Sequence, residues 1–164
     1  MMKQPIVCDT TLWLYLGRIQ QIGLLPELFM PIYVPETVLL ELDMGRLLRA
    51  DTLDPRTLSW VTPVTVRQDD LARLPFNRLG AGERATIAYA YVYQVTMAGL
   101  DDLQARQLAE SIGLHVIGTP GVLLRAKRAG VIPAVRSELD ALVIHGFRLS
   151  TDLYMEILAL AEEA

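Results

Sequence analysis

The chain has 164 residues, 52% of them hydrophobic, with one cysteine and a formal charge of −4. That length and apolar content suit one compact domain with a real core, and the negative balance excludes a protein that grips nucleic acid through a broadly basic surface, leaving room only for a local basic rim. The lone Cys8 rules out an internal disulfide or a multi-thiolate metal site, and the most apolar stretch, residues 85–100, is broken by Gln94 and Thr96 and is too short to span a bilayer, so a cytoplasmic protein with no membrane attachment is expected.

Residues 5–8 (PIVC) form a short apolar run ending in Asp9-Thr10-Thr11, which predicts a central strand whose carboxyl end carries an acid. A helix is expected over residues 12–19. Residues 31–34 (PIYV) predict a second strand, and Pro35 at the first helical position starts the helix ETVLLELDMG. Residues 51–77, with Pro55, Pro63, Pro75 and many polar side chains, predict an irregular connection holding a small strand at 60–66. After Gly80-Ala81-Gly82 the pattern predicts a strong helix over 83–94, a buried strand over 95–100 and a turn into Asp101-Asp102. The helix LQARQLAESIG ends at Gly113. HVI at 115–117 predicts another strand, Gly118-Thr119-Pro120-Gly121 opens a helix that Gly130 closes, and helices over 133–145 and 151–163 complete the chain. Strands alternating with helices predict an α/β fold, a parallel sheet flanked by helices on both faces, as one domain over 1–164.

In an open parallel sheet ligands collect beyond the carboxyl ends of the strands, and the predicted strand ends carry Asp9, Asp101, Asp102 and Thr119. Glu41 borders the stripe marked by Val38 and Leu42, while Glu83 begins the stripe continued by Ile87 and Tyr91, so both helical acids are expected to face the same rim. Taken singly, each acid has an ordinary reading: Asp9 as a helix cap, Asp101 and Asp102 as a cap plus a first-turn acid, Glu83 as a first-turn acid, Glu41 as a solvated side chain. Gathered on one rim, they would repel one another and raise some of their own pKa values unless a cation compensates. Oxygen donors without histidine or thiolate favour Mg²⁺ or Mn²⁺ over zinc.

The ordered segments DTT at 9–11, VPETVLLEL at 34–42, GAGERATIAYA at 80–90 and GLDDLQARQLAESIGLHVIGTPGVLLRAKRAG at 99–130 resemble the PIN-like nucleases over almost the whole chain. The closest likeness is to a prokaryotic branch with GxGE and DDxxAR motifs. The resemblance implies cleavage of single-stranded RNA with Mg²⁺ or Mn²⁺. By position it makes Asp9, Glu41, Glu83 and Asp101 the metal-binding acids, with Thr11 and Thr119 as hydroxyls that hold the acids or a metal water. Many PIN toxins space the later acids as D-x-D; adjacent residues at a turn diverge, so Asp101 is favoured as the ligand and Asp102 as the group that orients or neutralises Arg106. Two physiologies fit, an RNA-processing enzyme or the toxin of a toxin/antitoxin pair whose small antitoxin-like partner covers the acid rim.

The candidate phosphate contacts are Arg84, Arg106, Arg125, Lys127 and Arg128, each with a plainer reading as a helix-surface charge. His115, His145 and Cys8 read as structural, and Tyr89, Tyr91 and Tyr93 as core or interface residues. The final helix could pack on its own domain or on a second copy, a homodimer being the common closed assembly. Two other function classes compete: a catalytically weak module on the same fold that binds nucleic acid or protein, and a phosphatase using Asp9 as nucleophile, for which Thr11 stands where a second acid is wanted.

Overall fold

The computed structural model describes residues 2–164. Five short strands, β1 (Gln4–Cys8), β2 (Phe29–Pro35), β3 (Val61–Val64), β4 (Met97–Gly99) and β5 (His115–Ile117), pair in parallel in the order β3-β2-β1-β4-β5. Period-two alternation then divides the interior in two. Ile6, Cys8, Ile32 and Val34 point into the larger core, with Met97 and Ile117 packed against it. Val7, Ala98, Tyr33 and Val116 belong to the smaller one on the opposite face.

The helices take sides accordingly. α1 (Thr10–Arg18), α2 (Leu24–Leu28), α3 (Glu36–Leu48), α7 (Thr119–Arg128), α8 (Arg136–Ile144) and α9 (Thr151–Leu160) supply the larger core. α5 (Ala81–Val92) and α6 (Leu103–Ser111) supply the smaller one through Ile87, Ala90, Ala105 and Ala109. A 3₁₀ turn at Pro55–Thr57 and the single-turn α4 (Gln68–Leu71) break up the connection around β3.

Several boundaries differ from the sequence expectation for local reasons. Pro35 stays extended at ψ 143° and precedes the helix instead of opening it, so β2 runs straight into α3 at Glu36. The strand expected over 95–100 shortens to Met97–Gly99 because Gln94, at φ 58°, turns the chain and the Val95 N–H donates back to the Ala90 carbonyl, closing α5. α2 has no counterpart in the sequence pattern: LLPEL is too short to show periodicity, and its helicity follows from burying Leu24, Leu25 and Leu28. Gly113 at φ 93° and Gly130 at φ 76° follow α6 and α7 in the left-handed conformation. Among the described residues, no helix is long and apolar enough to cross a membrane.

The strand order fixes where a ligand can collect. The chain moves from β1 outward through β2 and β3, then returns to the other side of β1 for β4 and β5. The order therefore reverses between β1 and β4, and α1 and α6, which follow those two strands, pack on opposite faces. A crevice opens there at the carboxyl ends. The residues that leave those ends are Asp9 and, after Leu100, Asp101.

The closeness of β4 to α1 makes Gly99 a sensitive position, since a Cβ there would come within 2.6 Å of Leu12 Cδ2. Gly99→Ala should therefore destabilise the fold by about 1–3 kcal/mol through overpacking. Urea unfolding should show a lower midpoint with an unchanged slope; an unchanged midpoint would contradict the packing described for this strand.

Candidate active site

Asp9 occupies the N-cap position of α1, yet its side chain caps nothing. The backbone explains its placement, because the Asp9 N–H donates to the Gly99 carbonyl at 3.0 Å and extends the β1–β4 ladder by one residue. The side chain is only 4% exposed, and among the described residues its buried Oδ1 has no hydrogen-bond partner. Burial raises the Asp9 pKa most, the nearby Thr10 amide pulls the other way, and the charges of Glu83, Glu41 and Asp101 add to the rise, leaving it pushed up to about 7. The helix-cap reading of this residue therefore fails.

Glu41, in the second turn of α3, is exposed but held at both oxygens. The Thr10 hydroxyl donates to Oε2 at 2.5 Å and the Gly82 N–H donates to Oε1 at 2.8 Å. One carboxylate thus ties α3 to the N-termini of α1 and α5. The contact requires glycine at 82, where a Cβ would lie 2.6–2.9 Å from the Glu41 carboxylate. Neither Thr10 nor Gly82 stands out as a site residue in the sequence, although Gly82 is the second glycine of the GxGE segment.

Glu83 reaches back to accept from the Gly80 N–H at 3.0 Å, a first-turn cap of its own helix. Its pKa is raised, first by burial, against the lowering effect of the Gly80 amide, and further by the neighbouring charges of Asp102 and Glu41.

The adjacent aspartates separate into two roles. Asp101 accepts from the Thr119 N–H at 2.6 Å and from the Thr119 hydroxyl at 2.7 Å, so the strand end of β4 is clamped to the start of α7. Burial raises its pKa despite the opposing pull of Thr119, Thr11 and Arg106. Thr11 exerts that pull from nearby without hydrogen-bond geometry, and its hydroxyl oxygen is buried without a partner among the described residues. Asp102 is the N-cap of α6, accepting from the Ala105 N–H at 2.9 Å.

The expected pairing of Asp102 with Arg106 does not form. Among the described residues no ion pair joins them, and Arg106 instead donates from one guanidinium nitrogen to the Leu100 carbonyl at 3.2 Å. The reason is steric opportunity, since a Cβ at Gly118 would lie 2.7 Å from that nitrogen and 2.8 Å from Asp101 Oδ1. The glycine leaves open the space that the arginine and Asp101 approach from either side.

The remaining basic candidates divide by position. Arg84 is exposed beside Glu83, and its side chain makes no hydrogen bond or ion pair among the described residues. Arg125, Lys127 and Arg128 lie in the last turn of α7, roughly 9–14 Å along the helix from Thr119 at 1.5 Å per residue. There Arg125 covers the Phe29 ring, Lys127 pairs with Glu163 at 2.8 Å, and Arg128 donates to the Leu160 carbonyl. The structure does not gather these three with the acids.

The acids share a rim without forming a closed cage: among the described residues no group of three or more His, Cys, Asp or Glu side chains is already disposed to hold a metal ion. Glu41, Glu83 and Asp101 are occupied by protein donors. The donor set nevertheless fits a hard divalent cation. It is carboxylate throughout, it carries uncompensated like charge, and its most buried member has a free oxygen.

A family model, DUF3368, described as a PIN domain, matches residues 5–163. No curated protein matches the chain.

The buried Asp9 carboxyl sets a pH dependence whose sign is fixed. Its folded pKa, about 7, lies above the unfolded value of 3.8, so its stabilising contribution is complete below that value and is lost as pH rises through the folded pKa. Over that window the metal-free protein should lose up to about 1.4 kcal/mol per pH unit through this one group. Asp9→Asn should remove that component and leave the variant more stable than wild type at neutral pH by roughly 1–4 kcal/mol. Urea unfolding in chelator across the same range measures the difference; parallel wild-type and variant profiles would contradict the placement of Asp9.

Proposed function

The chain belongs to the PIN-domain family, and on that premise we propose that it is a divalent-metal-dependent endoribonuclease acting on single-stranded RNA in the cytoplasm. PIN domains are generally nucleases, and the fold is a nuclease fold. One observation carries the finer reading. Asp9, buried at the strand-order reversal with an unpartnered oxygen, is surrounded by the charges of Glu41, Glu83 and Asp101. Such an arrangement is unfavourable by itself and becomes favourable when a cation enters.

In this reading Asp9, Glu41, Glu83 and Asp101 hold Mg²⁺ or Mn²⁺. When bound, such an ion supplies Lewis acidity toward a phosphate oxygen and an activated water for in-line attack. The protein supplies orientation. Thr119 fixes Asp101 through two donors, and Thr10 with Gly82 fixes Glu41 through two more. The unpartnered Thr11 hydroxyl is free to donate to Asp101. Asp102 keeps the start of α6 in place and adds its charge beside Glu83. Arg84 and Arg106 offer guanidinium N–H groups to the phosphates on either side of the acids. Arg125, Lys127 and Arg128 are left to packing and to the C-terminal helix. If the protein is the toxin of a pair, a small antitoxin-like partner would shield this rim.

A binding module on the same fold is the second reading, and it draws on the engagement of Glu41, Glu83 and Asp101 by protein donors. Two measurements separate it from the nuclease. Millimolar Mn²⁺ or Mg²⁺ should raise the melting temperature of wild type by mass action, and Asp9→Asn with Asp101→Asn together should abolish the rise. In a cleavage assay on unstructured RNA, either single substitution should reduce the metal-dependent rate at least a hundredfold while RNA affinity is unchanged or slightly tighter, because a negative charge is removed from the phosphate path. RNA binding without metal-dependent cleavage in wild type would overturn the nuclease reading in favour of the module.

A further inference from the structure

Beside the acid rim lies a groove of about 470 Å³ that runs from Asp101 between the start of α7 and the segment joining α8 to α9. Its lining is largely apolar, with Ile117, Pro120, Phe147 and Ile157, and it also carries Arg106 and Arg148. We infer that this groove seats one unpaired nucleotide of a single-stranded RNA next to the phosphate held at the acids, its base stacked on Phe147 and its phosphates on Arg106 and Arg148. The inference rests on the nuclease reading for the identity of the chain that enters.

Three observations favour a nucleotide over an apolar peptide. The first is charge: on a chain of net charge −4, the groove presents two arginines against the single acid Asp101. Arg148 is exposed and makes no hydrogen bond or ion pair among the described residues, while Arg106 spends one N–H on the Leu100 carbonyl and keeps the rest of its donors. The second is the aromatic ring. Phe147 is half-buried, packs edge to face with Tyr15 at 5.0 Å between centroids, and lines the groove. An aromatic ring with a guanidinium beside it suits an unstacked base and its phosphate. The third is continuity with the acids. The Tyr15 hydroxyl and Arg18 donate to the Gly146 and His145 carbonyls at 3.4 and 3.3 Å, tying the Phe147 segment to α1, the helix that follows Asp9. Asp101 itself belongs to both the rim and the groove. The volume lies within the range of small-ligand sites, and a duplex would keep its bases out of reach.

The test uses the full chain, a fluorescent ten-nucleotide RNA and anisotropy in chelator, so that binding is read apart from cleavage. Phe147→Leu keeps the apolar bulk and should weaken binding roughly five- to a hundredfold, whereas Phe147→Tyr should restore it, because stacking needs a ring. Arg148→Gln should weaken binding and reduce the salt dependence by about one phosphate contact. An RNA with one abasic nucleotide should bind wild type more weakly at a particular position, and Phe147→Leu should no longer distinguish it, an effect that general loosening of the fold would not produce. Melting temperatures identify any variant that fails to fold, and Arg148→Gln, on an exposed side chain, provides a check independent of the core. A groove made for a protein segment would leave the RNA affinity of Phe147→Leu and Arg148→Gln within twofold of wild type, and that result overturns the inference while the nuclease reading stands. Groove-dependent binding by a wild type that never cleaves RNA would do the opposite, sustaining the nucleotide site and removing the nuclease.

Discussion

Asp9 is a carboxylate that the fold buries among charges of its own sign, with no hydrogen-bond donor for Oδ1 among the described residues. Left alone, such a group costs free energy whichever form it takes: ionised, it lacks solvation and repels Glu41, Glu83 and Asp101; protonated, it abandons the charge a ligand would need. The sheet enforces the position regardless. Cys8 and Ile6 are fully buried, the Asp9 N–H continues the ladder with Gly99, and the next residue must already begin α1. The carboxylate is carried inward by the backbone, and strain of this kind is characteristic of sites shaped for a ligand.

The rest of the rim is organised around that charge by helix N-termini. α1, α5, α6 and α7 all begin close to the acids, bringing free N–H groups and the positive ends of their dipoles toward them. Gly82 and Thr119 convert this general attraction into specific hydrogen bonds on Glu41 and Asp101. Each of those bonds lowers the cost of assembling negative charge in the absence of a cation. Each also fixes the direction of a carboxylate: Glu41 and Asp101 have both oxygens held, whereas Asp9 keeps a buried oxygen without a partner among the described residues.

The positive side chains are placed by the same local constraints. Arg106 turns toward Asp101 because Gly118 leaves room, and it is not consumed by Asp102, nearer in sequence, whose oxygen caps α6. At the other end of α7, Lys127 and Arg128 are absorbed by Glu163 and the carbonyls that end α9. An acidic chain therefore keeps few uncommitted cations, and those at Arg84, Arg106 and Arg148 stand near the rim or its groove.

The sequence by itself determined the alternation of strands and helices, the parallel sheet and the appearance of acids at strand ends, because these depend on periodicity, glycine and proline placement and short-range caps. PIVC, HVI and the glycines after α6 and α7 were legible for that reason. It also carried the ordered segments of the PIN-domain family, over nearly the full chain. The tertiary structure decided which acids are free and which are held. The donors to Glu41 come from Thr10 and Gly82, 31 and 41 residues away, and the clamp on Asp101 comes from Thr119, 18 residues on, distances over which sequence spacing carries no directional information. It also decided that Asp102 is a cap, that Arg106 ignores it, that LLPEL is helical, and that Phe147 and Arg148 flank the rim. Those outcomes depend on the strand order β3-β2-β1-β4-β5 and on where a missing Cβ leaves space, and only the folded chain specifies both.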